Sequence, residues 1–281
     1  MHRTAVLVAG CLLALSCGTN AADDAVTGDT PAITTTVRID TSTTTSTGSV
    51  HRTEQLMVEV IDTIGHEPTS FTQGLVKIPG GFYESIGLYG QSALLETDDE
   101  GAVVRRMPLD DALFAEGLEL VDGRLIQLTY RAETALVYDA ETFEVIDQLP
   151  YQGEGWGLCR LDDDVVMSNG SAELTLRDPD TFAIRSSVPV RLDGRPVDQL
   201  NELECVDETV WANVWKQEII VGIDPVTGRV HSVVDASGLF DPGPSSESVL
   251  NGIAHDDETG TFWLTGKNWP AAFEVRFVAA E

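Results

Sequence analysis

"LFAEGLELVDGRLIQLTY" (residues 113–130) reads as two short strands joined by a tight turn. Leu118 and Leu120 alternate with polar neighbours, Asp122-Gly123 turns the chain, and Leu125, Ile126 and Leu128 lead back. One residue breaks the pattern. Glu116 stands beside Phe114 and Gly117, where the first strand enters its apolar part. A carboxylate there is costly unless something compensates it.

The stretch is one of five. "FTQGL", "FAEGL", "EGWGL", "QLNEL" and "VLNGI" end at Leu75, Leu118, Leu158, Leu203 and Ile253, with spacings of 43, 40, 45 and 50 residues. Seven residues after each of the first four ends, a second apolar strand begins at Phe82, Leu125, Val165 and Val210. In the fifth copy it begins after nine, at Phe262, because "DDETGT" makes a longer turn. Two more strand-like runs follow in most copies, such as "ALVYD" and "FEVIDQL". Repeats of this length with four short strands each are propeller blades, so the sequence predicts an all-β, five-bladed β-propeller. The strand "QLMVEVIDTI" (55–64) is expected to complete the blade that ends in "AAFEVRFV" (271–278), since ring closure removes an open edge. A two-sheet sandwich leaves the five phased copies unexplained.

The phase also brings distant residues together. Two positions before each repeat end lie Gln73, Glu116, Trp156, Asn201 and Asn251, at the start of each innermost strand. Twelve positions after the first four ends lie Gly87, Tyr130, Gly170 and Trp215, and the longer fifth turn puts Lys267 in the equivalent place. The second strand runs antiparallel to the first, so both rings belong to the same mouth of the central channel. Convergent polar groups in an aromatic concavity mark a candidate site. Trp211, Trp263 and Trp269 are expected to pack between strands or blades instead.

The 281-residue chain is 42% hydrophobic and can fill a real core. Its formal charge is −29; residues 1–55 hold five acids and three bases, which leaves −27 on residues 56–281. Such a field excludes nucleic acid as a partner and favours solubility and cations. His2 and Arg3 precede an apolar run characteristic of an export signal. Cys17 follows "LALS", which resembles the lipobox of bacterial lipoproteins, so residues 1–17 are expected to be the signal and Cys17 the lipid attachment site. Cys11 in "VAGC" leaves too short an apolar stretch, and plain secretion with cleavage near Ala21–Ala22 is the alternative. Residues 18–55 are rich in Thr, Ser, Gly and Asp and are expected to form a flexible tether to a catalytic propeller at 56–281. Of the remaining cysteines, Cys159 and Cys205 could pair in an oxidising compartment, but the repeat phase sets them on opposite strand faces, which argues against a disulfide.

The chain resembles the plant and bacterial type of glutaminyl-peptide cyclotransferase, a five-bladed propeller family. The resemblance runs from about residue 57 to 277 through "HEPTSFTQGL" (66–75), "YESIGLYGQS" (83–92), "FAEGLEL" (114–120), "GWGL" (155–158), "LNELE" (200–204), "VWANVW" (210–215) and "TGKNWP" (265–270). It implies a site formed by Phe71, Gln73, Phe114, Glu116, Trp156, Asn201, Trp215 and Lys267, six of which the two rings already contain. Here "FAEG" replaces the usual "FGEG", "HEP" the usual "HDP", and Tyr130 stands where relatives commonly have Trp. The implied reaction closes an N-terminal glutamine to 5-oxoproline and releases ammonia. Glu116 is expected to transfer the proton, Lys267 and Asn201 to stabilise charge on the amide oxygen, and the rest to bind substrate. The expected partners are peptides or proteins with an N-terminal Gln, and the exported enzyme is expected to act as a monomer, touching a membrane only through its lipid. No cofactor or metal is expected: no H-E-x-x-H, C-x-x-C or G-x-S-x-G occurs. A non-catalytic binding propeller is the alternative. A calcium-dependent lactonase-type propeller needs several convergent carboxylates where the rings hold only Glu116.

Deleting residues 18–55 should leave turnover unchanged, because their composition cannot build a core. Ammonia release from a Gln-initiated dipeptide by the truncated protein checks this, and lost turnover would contradict it.

Overall fold

The computed structural model describes residues 52–241 and 247–280. Among them there is no helix; the fold is a five-bladed β-propeller. The expected signal, Cys17 and nearly all of the expected tether lie outside the described residues. The first blade comprises Thr72–Ile78, Gly81–Ile86, Ala93–Asp98 and Val103–Pro108; the second, Ala115–Val121, Arg124–Thr129, Thr134–Asp139 and Val145–Pro150. The third comprises Leu158–Leu161, Asp164–Met167, Glu173–Arg177 and Ile184–Pro189; the fourth, Leu200–Val206, Thr209–Val214, Ile219–Ile223 and Val230–Asp235. The fifth has Leu250–Asp256, Thr261–Gly266 and Ala271–Ala279, and the N-terminal strand Glu54–Gly65 completes it in antiparallel register, Leu56 opposite Ala279. That strand also pairs in parallel with the outer strand of the fourth blade, Glu54 opposite Ser232. The closing strand therefore covers two outer edges and merges the last two blades into one eight-stranded sheet.

Local chemistry sets the strand lengths. Asp122 and Gly123 take φ of 50° and 78°, the two positive values of the hairpin turn that matches strand twist. A further repeat, not used in the sequence reading, closes the outer hairpins: "DAETF" (139–143), "DPDTF" (178–182) and "DPVTG" (224–228). In each, an Asp Oδ1 accepts from the backbone N–H two and three residues on, and the last residue has positive φ.

The core lies between blades rather than within them. Separate apolar clusters fill the interfaces, for example Val121, Ile126 and Leu128 of blade two against Leu158, Val165 and Phe182 of blade three. Trp211 packs on Phe262 and Phe277, Trp263 on Phe82, and Trp269 on Phe240 and Phe273, the packing roles expected for them.

Cys159 and Cys205 are bonded, with Cα atoms 5.4 Å apart, which corrects the expectation from strand phase. Phase argued against pairing because it treated the two faces as pointing apart. In a ring of stacked blades each blade offers one face to the blade before it and the other to the blade after. Residues on opposite faces of neighbouring inner strands are therefore the ones that meet. Removing this cross-link by reduction should lower the unfolding free energy by about 2–4 kcal/mol. Urea melts with and without reductant measure it, and coincident melts would show that the bond does not stabilise the fold.

Candidate active site

The innermost strands carry the site, and a shared irregularity aims it. In blades one, two, four and five, the pairing of the first two strands shifts register between Thr72 and Gly74, Ala115 and Leu118, Leu200 and Leu203, and Leu250 and Ile253. Gln73, Glu116, Asn201 and Asn251 occupy these bulges. A bulge leaves its residue out of the ladder and re-aims its side chain. The following position is a glycine in blades one, two, three and five, and in the first three of these it stands where neighbouring inner strands nearly touch. A Cβ at Gly74 would lie 2.5 Å from the Leu118 nitrogen, and one at Gly117 2.7 Å from the Leu158 nitrogen. Cross-blade bonds lock the bulges: Ser85 Oγ donates to the Glu116 carbonyl at 2.5 Å, Gly117 N–H to the Trp156 carbonyl at 2.6 Å, and Ser168 Oγ to the Asn201 carbonyl at 2.6 Å.

All nine residues expected to hold substrate or act on it line one cavity of about 230 Å³. That is below the roughly 300–1,000 Å³ of pockets for drug-sized ligands and suits a single residue. Phe71 and Phe114 meet edge to face at 6.3 Å, Phe114 packs on Tyr130 at 5.6 Å, and Trp156 meets Trp215 edge to face at 5.6 Å. Two ring positions act by having no side chain. The Phe114 ring rests on Gly87 and the Trp156 indole on Gly170, where a Cβ would come within 2.7 Å of the indole.

The polar members are buried: Glu116 is 5% exposed, Lys267 4%, Gln73 2% and Asn201 2%. Neither Glu116 nor Lys267 has an ion-pair partner within 4.0 Å among the described residues. Burial pushes the Glu116 carboxyl well above the usual carboxylate value; Lys267 pulls it back in part, and Glu154 adds to the rise. Burial brings the Lys267 ammonium down to about 8 against the opposing pull of Glu116 and Glu247. Its Nζ lies 4.8 Å from the centre of the Phe71 ring, which favours the cation. The two groups thus line one cavity without a close ion-pair partner among the described residues, the carboxyl raised and the ammonium lowered by burial.

Not every ring member reaches the cavity. Asn251 is fully buried behind Gln73 and donates to its Oε1 at 3.3 Å and to the Thr72 carbonyl at 3.0 Å. It holds Gln73 in place, so the mouth presents two amides, not the three that phase suggests. The sequence reading missed Leu88, Glu247 and Glu154. Leu88 and Glu247 complete the cavity wall, which therefore contains two carboxylates where the rings contain one. Leu88 follows ring member Gly87 and could have been found from it; Glu247 lies in an unphased loop and carries no signal. Glu154 accepts from the Trp156 indole N–H at 3.1 Å and from Arg131 at 2.8 Å, tying the indole to the rim. Burial first, then the charge of Glu154, hold the Tyr130 phenol above its usual value.

A family model described as "Glutamine cyclotransferase" matches residues 32–277. The glutaminyl-peptide cyclotransferase of Arabidopsis thaliana is 34% identical over 230 residues, covering 79% of this chain and 72% of that protein. The crystal structure of Myxococcus xanthus glutaminyl cyclase superposes with a TM-score of 0.75 at 36% identity, covering 82% of this chain and all of that one. With a propeller whose bulged inner strands deliver Glu116 and Lys267 to one aromatic cavity, and a family model that spans most of its length, the chain belongs to the glutamine cyclotransferase family.

Proposed function

We propose that this protein cyclises the N-terminal glutamine of peptides to pyroglutamate with release of ammonia. The observation that carries the reading is the buried Glu116, without an ion-pair partner among the described residues, facing the same single-residue cavity as Lys267. The α-amine and the side-chain carboxamide belong to one residue, so the main tasks are to hold the near-attack conformer and to move a proton. The amine nitrogen attacks the carboxamide carbon and forms the ring C–N bond. Glu116 takes the proton that this nitrogen loses. It returns a proton to the departing nitrogen as the old C–N bond breaks, and ammonia leaves. Burial raises the proton affinity of this carboxyl, so it takes up a proton more readily than an ordinary carboxylate, which suits a group that accepts a proton and then returns it. Lys267 and the Asn201 amide stabilise charge on the carboxamide oxygen. Gln73, whose Oε1 is held by Asn251, has its N–H groups left for the substrate. Phe71, Phe114, Tyr130, Trp156 and Trp215 form the walls. The family and the cavity do not favour a binding-only propeller.

Export, lipid attachment at Cys17 and a flexible tether are parts of the same proposal. They rest on the sequence of residues 1–51 and are supported by the Cys159–Cys205 bond, which suits an oxidising compartment.

Glu116→Gln keeps the shape but cannot exchange the proton. It should fold, bind a Gln-peptide analogue and lose turnover by about 10²–10⁴-fold, or about 3–5 kcal/mol at 1.36 kcal/mol per decade. Coupled ammonia assays with wild type and variant decide this; a loss under about threefold would remove Glu116 from the chemistry.

The pH dependence follows from the two shifts. The base form of Glu116 exists only above its raised value, so kcat/KM should climb to a pH well beyond the ordinary carboxylate range. The Lys267 ammonium is lost above about 8, so kcat/KM should fall again on that side. A profile that stays level through the alkaline range would deny Lys267 a charged role.

A further inference from the structure

His66 opens the "HEPTSFTQGL" stretch, and none of the steps above uses it. Its side chain is 7% exposed and that of its partner Glu84 1%. Both ring nitrogens face oxygens: Nδ1 lies 2.7 Å from the Trp269 carbonyl and Nε2 3.0 Å from Glu84 Oε1. The carbonyl can only accept. Glu84 is an acceptor elsewhere too, from Thr72 Oγ1 at 2.7 Å and Ser70 Oγ at 3.5 Å. A ring that donates from both nitrogens is an imidazolium.

The bonds of this ring join two segments that are far apart in sequence. His66 N–H donates to the Pro270 carbonyl at 3.0 Å, and Asn268 N–H to the Ser70 carbonyl at 2.7 Å. With the bond to Trp269, they pin the turn of residues 267–270 onto residues 66–72. That turn begins with Lys267, and Asn268 bends it with a φ of 59°. The pinned segment contains Phe71, whose ring lies under Lys267 Nζ, and leads directly into Gln73. We propose that His66 and Glu84 form a buried ionic clamp that positions Lys267 against Phe71 and Gln73. The proposal rests on the role given to Lys267 above.

The charged groups facing His66 are Glu84, from the second strand of blade one, and Glu67 beside it in the chain; the 267–270 turn presents a carbonyl. Burial lowers the proton affinity of the ring, but the charge and hydrogen bond of Glu84, with the Trp269 carbonyl and Glu67, together outweigh it, so its value is raised above 6.5. The sign is that of a histidine gaining a partner on folding. The clamp contributes fully below 6.5 and is lost as pH rises through the raised value.

The test compares wild type with His66→Asn, Glu84→Gln and Lys267→Met, reading kcat, KM, the alkaline limb of kcat/KM and the melting temperature. The clamp variants should lower kcat by about 10- to 100-fold, as a small misplacement does. They should also move the alkaline limb up from about 8 toward the ordinary lysine value of 10.5, as Lys267 becomes hydrated. A purely structural role lowers the melting temperature and leaves the limb in place; folded clamp variants with a wild-type limb would overturn the proposal. If His66→Asn does not fold, the isosteric Glu84→Gln decides alone. Wild-type turnover in Lys267→Met would overturn the function assigned to Lys267, and the clamp with it. Lost turnover there, with an unmoved limb in the clamp variants, would overturn the clamp alone.

Discussion

The close approach of five inner strands around one axis governs the rest of this molecule. Where strands from neighbouring blades nearly touch, a Cβ has no room, and Gly74, Gly117 and Gly157 answer that restriction. The same crowding accompanies a break in the ladder at the start of the inner strand in blades one, two, four and five. The strand gives way in a bulge, and the bulged residue turns out of the sheet. One steric fact thus explains both the repeated glycine and the polar residue before it. The cost of a buried carboxylate at Glu116 follows from where that bulge points.

Desolvation then supplies the chemistry. A protein with a formal charge of −29 is an unfavourable place for another buried anion. Among the described residues Glu116 nevertheless has no cation within 4.0 Å, and Lys267 no anion. Each perturbs the other only at a distance, and burial is the larger influence on both. A tight ion pair would have lowered the carboxyl and raised the amine, against the direction in which burial moves each. Keeping them apart leaves space for a substrate between groups that can still exchange protons.

Rigidity comes from outside the cavity. Asn251 fixes Gln73, Glu154 fixes Trp156, and Gly87 and Gly170 seat the Phe114 and Trp156 rings. The Cys159–Cys205 bond joins the third and fourth blades just below Trp156 and Asn201 in the chain, and the N-terminal strand joins the fourth and fifth at their outer edges. Among the described residues, the junction between the fifth and first blades has no such covalent or strand link. There the His66–Glu84 pair and its backbone bonds cross the interface, next to Lys267.

The repeat made the fold and most of the site legible. A period of 40 to 50 residues, with a strand starting a set distance after each anchor, is a one-dimensional signal, because each blade is a local meander. Ring membership follows from the same count. Gln73, Glu116, Trp156, Asn201, Trp215 and Lys267 were therefore found by spacing, while Phe71 and Phe114 needed the family resemblance. The sequence by itself determined what recurs with the chain. What passes between blades was decided only in three dimensions. Cys159 and Cys205 looked incompatible along their strands and meet because stacked blades present opposite faces to each other. Asn251 shares the phase of Asn201 but lies behind Gln73, since its neighbours across the interface differ. Glu247 reaches the cavity from an unphased loop, and His66 finds Glu84 and Trp269 across a closure that joins the two ends of the domain. Periodicity describes one blade at a time, whereas burial, charge and close packing depend on which surfaces the closed ring brings together.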